Sequence, residues 1–123
     1  MKYLIMIHSN PSVRNLWEEF SDAERFEFGR AHLALTEELV ASGELVAGEG
    51  LPDPSHSTRV SVRDGRTITS DGPFAESKEH LAGFYLVDCD SRERALEIAA
   101  RVPDAVYTGV EVRPVLDLSG LDL

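Results

Sequence analysis

Apolar and polar positions along the chain predict a series of short strands. Residues 2–7 and 81–87 are short, nearly continuous apolar runs, which is the pattern of buried strands. Residues 45–48 begin another strand. Residues 58–63 alternate polar and apolar positions, Asp64-Gly65 turns the chain, and residues 66–70 return, which predicts a hairpin with one solvated face. The alternating residues 109–115 predict the last strand.

Two helices separate these strands. The first is predicted over residues 22–42, because Ser21 and Glu24 have capping-box spacing and Gly43 stands where helices commonly end. The second is predicted over residues 90–102, and residues 10–20 are expected to form a surface connection with a helical turn. The expected inward positions are Phe28, Ala31, His32, Leu35 and Leu39 on the first helix, and Ala95, Leu96, Ile98, Ala99 and Val102 on the second.

The order of elements predicts one α+β domain over residues 1–123, a ferredoxin-like sandwich with the hairpin inserted between two strand-helix-strand halves. Two helices cover only one face of such a sheet. The apolar character of the central strands therefore predicts that a second copy covers the other face, as a homodimer. The leucine-rich tail, residues 116–123, is a candidate to reach that partner.

Composition narrows the class of protein. Hydrophobic residues make up 42% and charged residues 28% of the chain, as in a globular protein, and the net charge of −10 argues against nucleic acid or anionic lipid as partners. The first apolar run is too short for a signal peptide or a membrane span, so a cytoplasmic protein is expected. Cys89 is the only cysteine, which excludes an internal disulfide.

Candidate chemistry lies first in the bend at residues 70–79. Gly72 and Pro73 require the backbone to turn sharply there. The bend offers two carboxylates, a cation and an apolar anchor for a small-molecule pocket: Asp71, Glu76, Lys78 and Phe74. The alternative interpretation is a tight connection with Phe74 packed in the core.

His32 is the second candidate, because its helical position points it toward the sheet. Such a histidine is either a core residue hydrogen-bonded to a carbonyl or a neutral acid or base at a pocket floor. The other histidines are His8, His56 and His80, and their spacing matches no metal-ligand set. No nucleotide, flavin or phosphate motif occurs, so neither a metal nor an organic cofactor is expected.

Several segments together resemble the YCII-related family, in the branch named for its Asp-Gly-Pro-Phe (DGPF) motif. They are residues 1–4, 31–33, 45–51, 63–66, 71–79, 83–86 and 110–114. The resemblance implies a dimeric α+β barrel and a pocket between the sheet and the first helix, with a histidine and an aspartate as catalytic pair. His32 matches the histidine, and Glu38 or Asp71 is the candidate acid. Most relatives have no assigned reaction, some occur beside or fused to alternative sigma factors, and a distant branch resembles lyases of halogenated hydroxyquinones.

These observations give two functional hypotheses. In the first, His32 and Asp71 transfer protons on a small aromatic or enolisable substrate, as an isomerase, lyase or cyclase. Its substrate-binding residues would be His8, Glu76, Lys78, Tyr85 and Arg113, with Tyr85 or Arg113 stabilising negative charge. In the second, the protein is a dimeric binding or regulatory module that holds a metabolite or contacts a sigma factor.

Overall fold

The computed structural model describes residues 1–74 and 78–120, and it confirms the expected α+β class. Its strands are β1 (Lys2–Ser9), β2 (Leu45–Gly50), β3 (Thr58–Arg63), β4 (Arg66–Asp71), β5 (His80–Asp88) and β6 (Glu111–Pro114). Its helices are α1 (Pro11–Glu19), α2 (Asp22–Ser42) and α3 (Arg92–Ala100). Within the described ranges, no helix is both long and apolar enough to cross a membrane.

Four strands form one antiparallel sheet in the order β2-β5-β1-β6. Helix α2 connects β1 to β2, and α3 connects β5 to β6, so each helix joins two strands that have one other strand between them. This is the split βαβ arrangement. It places both helices against the sheet and brings the turn after α3 close to α2.

The long helix α2 begins and ends where local signals predicted. The Ser21 hydroxyl accepts from the Glu24 amide at 3.1 Å, and the Glu24 carboxylate accepts from the Ser21 amide at 2.9 Å. Gly43 ends the helix with φ +78°, in the left-handed region that favours glycine. The preceding helix α1 was expected only as a helical turn. It is nine residues long, and the side chain of Asn10 caps it.

The hydrophobic core lies between the helices and one face of the sheet. Its buried members are Tyr3, Ile5 and Ile7 of β1, Leu35 and Leu39 of α2, Tyr85 and Val87 of β5, Cys89, and Ala95, Ile98, Ala99 and Val102 of the α3 region. The prediction that Ala31 and Leu96 are buried in the core is wrong. Ala31 is exposed, and Leu96 is 39% exposed because it lies off the buried stripe of α3.

On the opposite face of the sheet lie the side chains at the alternate positions of the central strands, β1 and β5. Met6 is 8% exposed there, and Leu4, Phe84 and Leu86 are half-buried. Neither α2 nor α3 packs on these side chains, because both helices belong to the core on the other face. This side of the sheet therefore has apolar side chains on which neither α2 nor α3 packs.

Strands β3 and β4 form a separate two-stranded hairpin that turns at Asp64 and Gly65, with φ of +53° and +74°. Both of its faces are exposed, so the expectation of a single solvated face is wrong. Phe74 is 58% exposed and lies against the Arg59 guanidinium, 4.1 Å from the ring centroid. The alternative that Phe74 packs in the core is therefore wrong as well.

The tail that was expected to reach a partner is exposed over residues 116–119. Leu116 and Leu118 are 69% and 57% exposed, while Leu121 and Leu123 lie outside the described residues.

The ion pair between Glu44 and Arg94 predicts acid sensitivity. Two hydrogen bonds from Arg94, at 2.8 and 2.9 Å, lower the pKa of Glu44 from 4.5 to about 2. The stabilisation is complete above about pH 4.5 and is lost as the pH falls toward 2. We expect Glu44→Gln to lower the free energy of unfolding at pH 7 by about 1–2 kcal/mol and to flatten its dependence on pH in this range.

Urea unfolding at a series of pH values measures this effect. The matched control is Glu97→Gln, since Glu97 also contacts Arg94, at 3.2 Å, but is 66% exposed. Its effect should stay below about 0.5 kcal/mol. Equal losses of unfolding free energy for Glu44→Gln and Glu97→Gln would show that the ion pair with Glu44 contributes no more to stability than the pair with Glu97.

Candidate active site

A cavity of about 730 Å³ lies between the sheet, α1 and the first half of α2. Residues of β2, β5 and the turn after α3 complete its wall. A volume of this size suits a small organic ligand. His32 of α2, Tyr85 of β5 and Asp104 of the turn all line it.

These three side chains form one chain of hydrogen bonds. The Nδ1 atom of His32 lies 2.6 Å from the Tyr85 hydroxyl, and its Nε2 atom lies 2.7 Å from Oδ1 of Asp104. Both ring nitrogens therefore have partners on opposite sides of the imidazole. The structure excludes the interpretation of His32 as a core histidine bonded to a backbone carbonyl through its ring.

Neighbouring elements fix each member of the chain. Tyr85 stands on β5 opposite Ile5, on the face that packs against the helices, and is 5% exposed. Asp104 lies in a 3₁₀ turn, Pro103–Val106, which directly follows the buried Val102. Thr36, one helical turn after His32, donates to the His32 carbonyl at 3.0 Å. The three groups are thus positioned by the sheet, the turn and α2.

The surroundings of the hydrogen-bond chain determine which of its atoms carry the protons. Burial raises the pKa of Tyr85 and the negative charge of Asp104 adds to the rise, against an opposing hydrogen bond from Thr36. The phenol is therefore protonated at neutral pH and can donate to Nδ1. An Asp104 carboxylate accepts from Nε2–H and the Tyr85 hydroxyl donates to Nδ1, so this network assigns the Nε2–H tautomer to His32.

Aromatic side chains form the apolar part of the wall. Phe28 contacts the His32 ring edge to face, with centroids 5.0 Å apart. Trp17 lies 5.5 Å from Phe28, and Phe20 lies 5.5 Å from Tyr107. The wall next to the hydrogen-bond chain is therefore aromatic and apolar.

The acid beside His32 is Asp104, and neither acid expected from the sequence occupies that place. Asp71 is exposed at the end of β4 and does not line the cavity, since β4 belongs to the separate hairpin. Glu38 lies on the solvent side of α2 and pairs with Arg101. The one signal that pointed to Asp104 is its place directly after Pro103, where the chain turns at the end of the second helical pattern.

Among the expected substrate-binding residues that the structure describes, only Tyr85 lines the cavity. His8 bonds to Glu111 at 3.0 Å, Arg113 pairs with Leu4 across the strands, and Lys78 is exposed. None of these three side chains is a hydrogen-bond partner of the His32 ring in this chain. Glu76 lies outside the described residues. Across residues 1–74 and 78–120, no group of three or more potential metal ligands comes together.

Fold and cavity together define an α+β domain with a half-buried histidine-acid pair at the wall of a cavity. The chain belongs to the YCII-related family, because the YCII-related domain matches residues 1–119. It is also 37% identical, over 117 residues, to an uncharacterised protein of Rhizobium meliloti (strain 1021). That similarity covers 94% of this chain and 92% of the relative.

Proposed function

We propose that this protein is a small-molecule enzyme that transfers protons through Asp104, His32 and Tyr85, as an isomerase, lyase or cyclase. The observation that carries the proposal is the chain of two short hydrogen bonds, 2.6 and 2.7 Å, at the wall of a large cavity. Titratable groups in mutual contact at a pocket are the usual arrangement of acid-base sites. In this mechanism Asp104 takes the role beside His32 that the sequence assigned to Asp71, and Tyr85 is added as the group that contacts the substrate.

The geometry supports a relay in which Tyr85 contacts the substrate. A substrate O–H or activated C–H would lose its proton to the Tyr85 oxygen as the phenol proton passes to Nδ1 of His32. The resulting imidazolium lies 2.7 Å from the Asp104 carboxylate, which offsets the cost of placing a cation in a half-buried site. Reversal of the two transfers returns a proton to another atom of the substrate and restores the enzyme.

The assembly that we propose is a homodimer. The apolar sheet face with Leu4, Met6, Phe84 and Leu86 would pack on the same face of a second copy and give a dimeric α+β barrel. The Asp-Gly-Pro-Phe sequence at residues 71–74 supports placement in the DGPF branch of the family. A cytoplasmic location and a single domain over residues 1–123 stay predictions from composition and pattern.

Hydrogen-deuterium exchange tests the proposed reaction. Phenols and enolisable aromatic ketones are incubated with the protein in deuterated buffer, and loss of carbon-bound protons is followed by NMR. We expect exchange with wild type and a fall of about 10²-fold or more with His32→Gln. His56→Gln is the matched control, because His56 is exposed in the turn Pro54–His56 and does not line the cavity. Equal exchange by His32→Gln and wild type would refute the proposal.

The second candidate function is a dimeric module that binds a metabolite or regulates a partner such as a sigma factor. One observation favours it: both ring nitrogens of His32 already have partners within the protein, as in a structural network. Saturable binding of aromatic ligands without any proton exchange would support this function over catalysis.

A further inference from the structure

The hydroxyl of Tyr85 has its single proton committed to His32. Its oxygen lies 2.6 Å from Nδ1 of His32, whereas the backbone carbonyl of His32 is a more distant acceptor at 3.4 Å. On the far side of the ring, Nε2 lies 2.7 Å from the Asp104 carboxylate, which can only accept. Nε2 therefore carries the ring proton, and Nδ1 is the acceptor for the phenol. A flip of the ring would exchange the two nitrogens but leave an acceptor beside Tyr85.

The acceptor side of the Tyr85 oxygen is available to a ligand. Thr36, whose hydroxyl can also reach this oxygen, donates its one hydrogen to the His32 carbonyl at 3.0 Å. Tyr85, His32 and Thr36 all line the cavity, so the phenol oxygen that lies between their polar atoms is part of its wall. A lone pair of Tyr85 is thus what this site offers to a bound molecule.

The wall beside this oxygen is aromatic. Phe28 packs on the His32 ring with centroids 5.0 Å apart, and Trp17 lies 5.5 Å from Phe28. Flat rings of a ligand can bury their surface against such side chains. In an apolar setting of this kind a polar atom that finds no partner costs affinity, so the polarity of the ligand atom that faces Tyr85 matters.

We infer that the cavity selects flat aromatic molecules that present an O–H or N–H to the Tyr85 oxygen, and discriminates against molecules of the same shape that present a lone pair. The tautomer of His32, which Asp104 sets from the far side of the ring, gives the site this preference. A ligand O–H or N–H extends the chain of hydrogen bonds. A ligand lone pair would instead face the lone pair of Tyr85, and neither would have a hydrogen to share.

The inference rests on the proposed function only in using the same cavity and the same three side chains. It concerns binding and requires no reaction. Phenols belong to the selected class, since their O–H would reach the oxygen that receives the substrate proton in the proposed relay.

The test compares three neutral bicyclic probes of nearly the same shape: indole presents an N–H, benzoxazole presents a ring-nitrogen lone pair, and benzothiophene presents neither. Trp17 is the only tryptophan of the chain and lines the cavity, so fluorotryptophan labelling gives one ¹⁹F resonance whose shift yields the dissociation constant. We expect indole to bind at least about threefold more tightly than benzothiophene and about tenfold more tightly than benzoxazole.

Tyr85→Phe removes the oxygen and keeps the ring. It should bring the ratio of indole to benzothiophene affinity to about one, because the hydrogen bond is lost. Tyr3→Phe is the matched control: Tyr3 is also a buried tyrosine of the core, but it does not line the cavity. This variant should leave the ratio as in wild type.

His32→Phe provides a second and opposite change. It removes the acceptor of the phenol proton, so the Tyr85 hydroxyl is free to turn and donate to a ligand. The affinity for benzoxazole relative to indole should rise about tenfold or more. Thermal unfolding checks that each variant is folded.

Two results would overturn the inference: benzoxazole binding to wild type as tightly as indole, or no saturable shift of the Trp17 resonance with any of the three probes. The proposed reaction is judged separately by proton exchange. If wild type prefers indole but exchanges no substrate proton, the reaction is refuted and the binding preference stands. If exchange occurs and indole has no advantage, the preference is refuted and the reaction stands.

Discussion

Asp104→Asn is expected to lower the rate of proton exchange by about 10²- to 10⁴-fold. The substitution keeps the size of the side chain but removes the negative charge that lies 2.7 Å from His32 Nε2. Without this charge the imidazolium is no longer stabilised, and an amide NH₂ turned toward the ring favours the opposite tautomer. The exchange assay measures the rate, and ¹⁵N NMR of the imidazole nitrogens reports the tautomer.

Asp71→Asn tests whether Asp71, and not Asp104, is the acid that acts with His32. Asp71 is exposed on the hairpin and does not line the cavity, so its replacement should leave both the exchange rate and the His32 spectrum unchanged. A large loss with Asp71→Asn and none with Asp104→Asn would contradict the assignment. Thermal unfolding of both variants checks that the fold is intact.

Leu39→Ala is expected to lower the free energy of unfolding by about 2–5 kcal/mol, the largest effect on stability that we predict. Leu39 is 1% exposed and belongs to the core between α2 and the sheet. Truncation there removes buried apolar surface and leaves a cavity that the surrounding β-strands cannot close. Urea unfolding with an unchanged m-value gives the difference.

Leu33→Ala is the matched control, with the same change of side chain on the same helix. Leu33 is 58% exposed, so less apolar surface is lost to water and the expected cost is below about 1 kcal/mol. A cost for Leu39→Ala as small as that for Leu33→Ala would show that α2 does not pack on the sheet as described.

Local signals in the sequence predicted the elements well. The capping box at Ser21 and Glu24, the glycine at position 43 and the turn at Asp64-Gly65 act over a few residues and need no knowledge of the rest of the chain. These signals predict a helix over residues 22–42, which are the observed bounds of α2. The helical position of His32, directed toward the sheet, also follows from local periodicity.

Contacts between distant segments could not be predicted in the same way. Asp104 is 72 positions from His32 along the chain, and only the packing of α3 and its following turn brings the two together. Asp71 was the expected acid because it lies in a distinctive bend, but that bend belongs to a hairpin outside the four-stranded sheet. The exposure of Ala31 likewise depends on how α2 packs in the folded chain, which periodicity does not reveal.

Helix α1 has no buried residue, yet it supplies Trp17 and Arg14 to the cavity wall. Substitutions in it change what a ligand touches without disturbing the packing that holds the domain together. Under the proposed function, relatives can therefore diverge in ligand preference along this one segment at little thermodynamic cost, while His32, Tyr85 and Asp104 keep their positions.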